Sequence, residues 1–246
     1  MNRPIEAPVI GVSSRPVDDR VKPEYYIGID AVTDPIVREL LRSCPTVFGL
    51  KRAITELFSG GSGRGLPESA GLIEPGATVR GTVIVCEGAL IQAGAFVAGP
   101  ALICPRAVVG GGALVRDHCV IGPGCQIGFG AEVTRSLLAG RVLIKHTSFV
   151  GDSVLGLGVS VGAFVSTTSL RCISGPVTEP ATEEITIHLD GHRIGTGQTK
   201  FGAVIGDGVV VPAGTILQPG TLVGAGTLLY PRTQIGGFFP TGCQGR

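Results

Sequence analysis

From residue 73 to 133 the chain reads IEPGATVRGTVIVCEGALIQAGAFVAGPALICPRAVVGGGALVRDHCVIGPGCQIGFGAEV, and one period runs through it. Counting from Ile73, every sixth residue is Ile or Val: Val79, Val85, Ile91, Val97, Ile103, Val109, Val115, Ile121, Ile127 and Val133. Four places after the first ten of these stand small or modest side chains, from Ala77 and Val83 through Ala113 to Cys119, Cys125 and Ala131. A period of six fits neither a helix nor a simple strand. It fits one short strand and one turn per hexapeptide, with three hexapeptides closing a triangular coil. The aliphatic residue then points inward and the small one fits where the chain turns. Stacking pairs each strand with the coils above and below it, so backbone donors and acceptors are met along the axis, and burial between repeats supplies the core. The expected class is all-β, a parallel β-helix of hexapeptide repeats.

The same phase returns near the C-terminus at Ile205, Val211, Leu217, Val223, Leu229 and Ile235, accompanied by Val209, Thr215, Thr221, Thr227 and Thr233. Between the two runs, Phe149, Leu155 and Val161 form a short third register. Three regions leave the lattice: residues 1–71, 134–148 and about 168–200. The expected division is an N-terminal extension over 1–71, the β-helix over 72–240 with its insertion, and a tail over 241–246. Within the extension, a Pro-rich extended start precedes a short helix over 32–43, with Asp34 as N-cap and Pro35 as first residue. A second helix is expected over Val47–Phe58, ending at Gly60–Gly61, before the linker SGGSGRGLPES. In the insertion, residues 184–190 alternate like an exposed hairpin strand.

Composition narrows the function classes. Forty Gly among 246 residues, 43% apolar content and only 5% aromatics call for many tight turns joining short aliphatic strands. A net charge of +1 with scattered Lys and Arg gives no basic stripe for nucleic acid. The N-terminus lacks the continuous apolar segment of a signal peptide, and no apolar run reaches membrane-spanning length, so a cytoplasmic protein with no membrane partner is expected. Seven Cys without a CxxC pair argue against a disulfide framework or zinc ribbon. Cys119 and Cys125 read as buried apolar side chains.

The first candidate for chemistry is His146, in the disrupted stretch RVLIKHTSFVGD (141–152) just before the lattice resumes. A neutral imidazole can take a proton from an attacking amine or hydroxyl. By position alone a solvated or hydrogen-bonded structural His is the commoner reading. No metal is expected. His188 and His192 flank the AspGly at 190–191, where a hairpin turn explains the stretch, and His118 falls on an outward, solvated lattice position.

From about residue 70 to 235 the chain resembles hexapeptide-repeat acyltransferases. The likeness is to the C-terminal acetyltransferase region of bifunctional glucosamine-1-phosphate acetyltransferase/N-acetylglucosamine-1-phosphate uridyltransferases and to archaeal sugar-1-phosphate nucleotidylyltransferase-like proteins. KHTSFVGDSVLG (145–156) and TGQTKFGAVIGD (196–207) carry it. The resemblance implies a left-handed β-helix, a homotrimer with sites between neighbouring prisms, and acetyl-CoA as co-substrate. It makes His146 the general base. It places Arg116, Glu132 and Lys200 on matching substrate positions, with Arg116 and Lys200 holding an anionic group of a small, sugar-like acceptor.

Several positions depart from that family's pattern. Phe149 stands where the motif has Tyr, Thr134 where it has a phosphate-binding Lys (with Arg135 beside it), and Ser160 and Ser169 where it has Asn. Ala213 replaces a Ser near the CoA arm. Ser169, Ala213 and Ala225 are the candidate cofactor-binding positions, and Thr134, Phe149 and Ser160 complete the substrate set. Loss of polar partners erodes specificity, so a different amine or alcohol acceptor suits this pocket better than glucosamine 1-phosphate. Residues 1–70 are too short for a nucleotide-binding domain, so nucleotidyl transfer is not expected of this chain. The leading reading is a CoA-dependent acyltransferase. The alternatives are a CoA-independent acid/base enzyme using the same pocket, and a non-catalytic partner of a nucleotide-sugar enzyme.

Overall fold

The structure, a computed structural model, describes residues 17–60, 65–176, 178–179, 181–231 and 234–245. The extended start expected for the first residues, part of the glycine-rich linker and Thr233 lie outside them. Three parallel sheets of nine, eight and eight strands form the three faces of a prism. The first face runs from Leu72–Ile73 to Gln244–Gly245, the second from Thr78–Arg80 to Gln234–Ile235, and the third from Val83–Val85 to Phe238–Phe239. Leu72, Leu90, Val108, Gln126, Leu143, Ser160, Val210, Leu228 and Gln244 lie one above another on the first face.

Hydrogen bonding follows the period. Leu72 donates to Ala89 at 2.9 Å, Leu90 to Ala107 at 2.9 Å, and Val108 to Cys125 at 2.8 Å. The sixth-residue aliphatics fill the prism: Val85, Ile91, Val97, Ile103, Val109, Val115, Ile121, Ile127 and Val133 join one core with Ala101, Ala107, Cys119 and Cys125 at the turns. The ends of the prism are more open, with Ile73 exposed and Val79 half-buried at the first rung and Phe239 half-buried at the last. The last strand, Gln244–Gly245, pairs with Leu228–Leu229, so the residues expected as a tail continue the coil.

The register expected at Phe149 is corrected by one place. Its strand, Ser148–Gly151, turns Val150 into the core, while Phe149 faces out between Glu132 and Ser166. The inward series is Val133, Leu138, Ile144, Val150, Leu155, Val161, with steps of five at the corner between the second and third faces. Two coils are thereby one residue short: the first-face positions Gln126, Leu143 and Ser160 are spaced by 17, against 18 from Leu72 through Gln126. At the shortened corners Arg135 and Asp152 take left-handed backbone, with φ of 46° and 50°.

The N-terminal extension makes a second core. Leu102, Val120, Leu137, Val154, Val204 and Leu222 point outward from the third face yet are buried, because the helical segment lies over them. In it α1 is Pro23–Tyr26, α2 Pro35–Ser43 and α3 Leu50–Phe58. Asp34 caps α2 as expected, accepting from the amides of Ile36 and Val37 at 2.9 and 3.0 Å. The hairpin Thr186–Leu189/His192–Gly195 is present, but it is not the exposed strand that its alternation suggested. Ile185, Ile187 and Leu189 are buried in this second core, leaving His188 and His192 outside. No helix among the described residues is long and apolar enough to cross a membrane.

Candidate functional site

His146 sits at the corner between the first and second faces, in the bend from Leu143–Ile144 to Ser148–Gly151. Its side chain is exposed, and no described residue hydrogen-bonds or ion-pairs with its ring. Strand pairing fixes its neighbours on the same edge. Ile127 pairs with Ile144 and Ala131 with Ser148, so Phe129 lies one coil before His146. Ile144 pairs with Val161 and Phe149 with Ser166, so Ala163 lies one coil after it and Phe164 beside that. Adjacent coils are spaced by about 4.8 Å. Phe129 and Phe164, on the coils before and after that of His146, are 74% and 71% exposed, and the Phe129 ring leans toward Gly112 on the coil before its own.

The outer surface of the second face runs from this edge to the opposite corner. Leu114, Glu132, Phe149 and Ser166 succeed one another along its middle. The Phe149 ring lies against Gly151, where a Cβ would fall 2.6 Å from it, and the Phe129 ring against Gly112, where a Cβ would fall 2.5 Å away. Both glycines admit a ring that any side chain would displace.

The far corner carries a network of charges. Arg116 donates to one oxygen of Glu132 at 2.9 and 2.6 Å and also to Asp117. Arg135 grips Asp152 with two bonds of 2.8 and 3.0 Å and approaches Asp117 at 3.4 Å. Lys51, from α3, donates to Asp152 at 3.1 Å and to the carbonyl of Lys200 at 2.6 Å. The Asp152 carboxylate is wholly enclosed. Burial alone would raise its pKa, but the Arg135 guanidinium, with Lys51 and Ser169, outweighs that and holds it below the ordinary carboxylate value. Partial burial likewise opposes the charged form of Arg116, and its bonds to Glu132 and Asp117 prevail, raising its pKa.

The substrate set expected from sequence is therefore only partly assembled. Glu132 and Phe149 lie on the second face with His146 at one edge and Arg116 at the other. Lys200 is exposed where the insertion rejoins the same far corner. Ser160 is on the first face, between Leu143 and Val210, around the corner from His146. Thr134 is fully buried and offers no surface to a ligand in this arrangement. The three expected cofactor positions fall at three different corners of the prism. Ala213 follows Val210–Val211 at the edge of His146, Ala225 lies between the third and first faces, and Ser169 leads into the insertion beside Asp152. One chain does not bring them together.

His118, expected to be solvated, packs edge-on against Phe58 of α3, with ring centroids 6.2 Å apart. Among the described residues no three His, Cys, Asp or Glu gather as metal ligands would. Sequence reasoning missed Asp117, Asp152 and Lys51 as members of one network, and the exposed Phe129 and Phe164 on the coils next to that of His146.

Comparison with known proteins agrees with this architecture. Residues 97–218, just under half of the chain, match the family model described as GMPPB C-terminal domain. The chain is 38% identical over 144 residues to a protein of Methanococcus vannielii named Bifunctional protein GlmU, a match that takes in 58% of this chain and 33% of that protein. It thus spans about a third of the length of that curated relative. A solved structure from Desulfovibrio desulfuricans G20, described only as a candidate acetyltransferase, aligns over 80% of this chain and 32% of its own, at 14% identity and a TM-score of 0.31. That superposition is loose, and the fold rests on the coils themselves. By architecture the chain is a parallel β-helix of hexapeptide repeats, and by sequence it is similar to these proteins over part of its length.

Proposed function

We propose that the chain transfers an acyl group, in the simplest case acetyl from acetyl-CoA, to an amine or hydroxyl of a small acceptor. His146 is the general base. The observation that carries this reading is the unengaged, exposed imidazole at the edge of an open face, within the KHTSFVGD stretch that resembles the acyltransferase motif. The imidazole nitrogen accepts the acceptor's proton as its nitrogen or oxygen attacks the thioester carbon. The C–S bond then breaks, the proton passes to the departing thiolate, and a backbone amide steadies the oxyanion between the two steps. The single prism gives His146 one wall and no cleft. A homotrimer supplies the opposite wall from a neighbouring copy, and joins the cofactor positions that one chain leaves apart.

The test is thiol release from acetyl-CoA with an amine panel, alongside direct acetyl-CoA binding. His146→Ala is expected to lower turnover by about 10²–10⁴-fold, with stability within about 0.5 kcal/mol because the side chain is exposed. A chain that binds no acetyl-CoA, or whose turnover ignores this substitution, would overturn the proposal. The charge-balanced Arg116 and enclosed Thr134 favour one second reading, acid/base chemistry by the same imidazole without CoA. Turnover of a bound metabolite in the absence of CoA is its signature.

A further inference from the structure

The corner between the first and second faces is built one way until the chain reaches His146. In each of the first four coils a four-residue turn is closed by a bond from its last amide to its first carbonyl. Ala77 donates to Glu74 at 3.1 Å, Ala95 to Gln92 at 3.0 Å, Ala113 to Gly110 at 3.1 Å and Ala131 to Gly128 at 3.1 Å. The next two turns, 145–148 and 162–165, lack that bond among the described residues. They are also where the last residue of the turn ceases to be Ala and becomes Ser148, then Val165.

Ser148 is buried, and its hydroxyl takes over the lost connections. Its Oγ accepts from the Val165 amide at 3.2 Å and lies 3.0 Å from the Gly162 carbonyl, between the two groups that would otherwise close the later turn. The same Oγ is 2.7 Å from the carbonyl of Thr147, the residue after His146, and its single proton can serve either carbonyl. The Thr147 carbonyl also accepts from the Phe164 amide at 2.6 Å. On its other side Thr147 rests on Gly130, where a Cβ would fall 2.5 Å from the Thr147 Oγ1. A serine hydroxyl can offer backbone groups such an alternative to their regular partners. Alanine at this place, as in the earlier coils, would remove the wedge and let the corner close in the ordinary way.

We infer that Ser148 is a positioning residue for His146: its buried hydroxyl, wedged between this coil's turn and the next, holds open the bend from which the imidazole projects. Ser148 acts through the backbone on either side of it and touches neither acceptor nor thioester. This rests on the acyl-transfer reading, in which His146 takes the acceptor's proton. A base displaced by about 1 Å can lose about 10²-fold in rate, so the effect belongs in kcat and not in the binding of acetyl-CoA.

Two variants of the full chain test it, Ser148→Ala and Ser148→Thr. Threonine keeps the hydroxyl, and the same column of the corner already carries β-branched Val165 and Thr215. The first readout is independent of turnover: the imidazole proton resonances of His146, identified as those missing from His146→Ala. They should shift in Ser148→Ala and return to their wild-type positions in Ser148→Thr. The second is acetyl transfer to the amine panel. There Ser148→Ala should lower kcat about 10–100-fold with the KM for acetyl-CoA within about threefold, and Ser148→Thr should recover most of the wild-type kcat. Unmoved resonances overturn the inference. So does a kcat within about twofold of wild type, a loss that appears in KM instead, or a Thr variant as impaired as the Ala one. Loss of the cooperative thermal transition in Ser148→Ala overturns it too, since the hydroxyl would then hold the fold and not the bend. A wild-type chain that transfers no acetyl group removes the acyl-transfer reading, and the resonances alone then decide whether Ser148 sets the turn.

Discussion

Replacing Asp152 by Asn removes one charge and almost no volume from a carboxylate bound by Arg135 and Lys51. Its carboxylate is fully enclosed and holds Arg135 through two bonds of 2.8 and 3.0 Å, and Lys51 at 3.1 Å. Removing one partner of a buried pair costs about 3–5 kcal/mol, since the other charge is left uncompensated. Here the stranded cations keep 30% and 26% of their side-chain surface, and Asp117 stays 3.4 Å from Arg135. The loss should therefore lie at the lower end, about 3 kcal/mol. For a chain of this size that is a fall in Tm of roughly 6–12 °C. Urea or thermal unfolding followed by circular dichroism measures it, and hydrogen exchange should show α3 opening faster than the coils. Adding Lys51→Met to Asp152→Asn should return part of the loss, since one stranded charge is gone. A loss below about 1 kcal/mol would show that the carboxylate's desolvation cancels its pairing, and the reasoning would be refuted. The pH dependence has a fixed sign. A carboxyl whose folded pKa is depressed contributes its full stability above the ordinary carboxylate pKa and loses it as the pH falls through the lowered folded value. The wild-type chain should therefore weaken on acidification through that window, and Asp152→Asn should weaken less steeply.

Asp34→Ala should cost about 0.5–2 kcal/mol by leaving the amides of Ile36 and Val37 without their cap, measured as a shift in the denaturation midpoint. Burial pushes the thiols of Cys119 and Cys125 up to about 12. In the folded chain at pH 8 they should therefore resist iodoacetamide while exposed Cys172 is alkylated, as peptide mass spectrometry would report. Labelling of the two buried thiols at the rate of Cys172 would mean that the coils open readily.

The coils were legible in the sequence because their determinants are local. Each hexapeptide carries its own inward aliphatic and its own small corner residue, and identical neighbours above and below make every repeat report the same rule. Asp34 and Pro35 announced α2 for the same reason, since a cap acts within one turn. What covers the third face was not legible. Its outward Leu102, Val120 and Leu137 sit between inward residues and read as ordinary strand, and only the packing of α2, α3 and the Ile185–Leu189 stretch makes them a second core. The site was half legible. A motif located His146, but Phe129 and Phe164 are 17 and 18 residues away, and only strand register sets them on the adjacent coils. The partners of Arg116 and Asp152 likewise come from other coils and from α3.

The disrupted stretch at 134–148 has a physical reason that also sets where His146 stands. Continuing in sixes from Val133 would put Ala139, Lys145 and Gly151 inside the prism. A buried, unpaired ammonium at Lys145 would cost several kcal/mol. Dropping one residue at the second-to-third corner instead brings Leu138, Ile144 and Val150 inward, which leaves Lys145 and His146 on the exposed edge. Left-handed backbone runs up this corner, at Asp117 and His118 in the full-length coil and at Arg135 and Asp152 in the two shortened ones. That conformation is unfavourable for a residue with a Cβ. Arg135 and Asp152 lie on consecutive coils of one corner and are bonded to each other, and Lys51 ties the pair to α3. The ion pair thus joins the two shortened turns, and α3 helps to hold both corners. His146 lies in the chain between those two corners, so the imidazole's position depends on the register shift that the network secures.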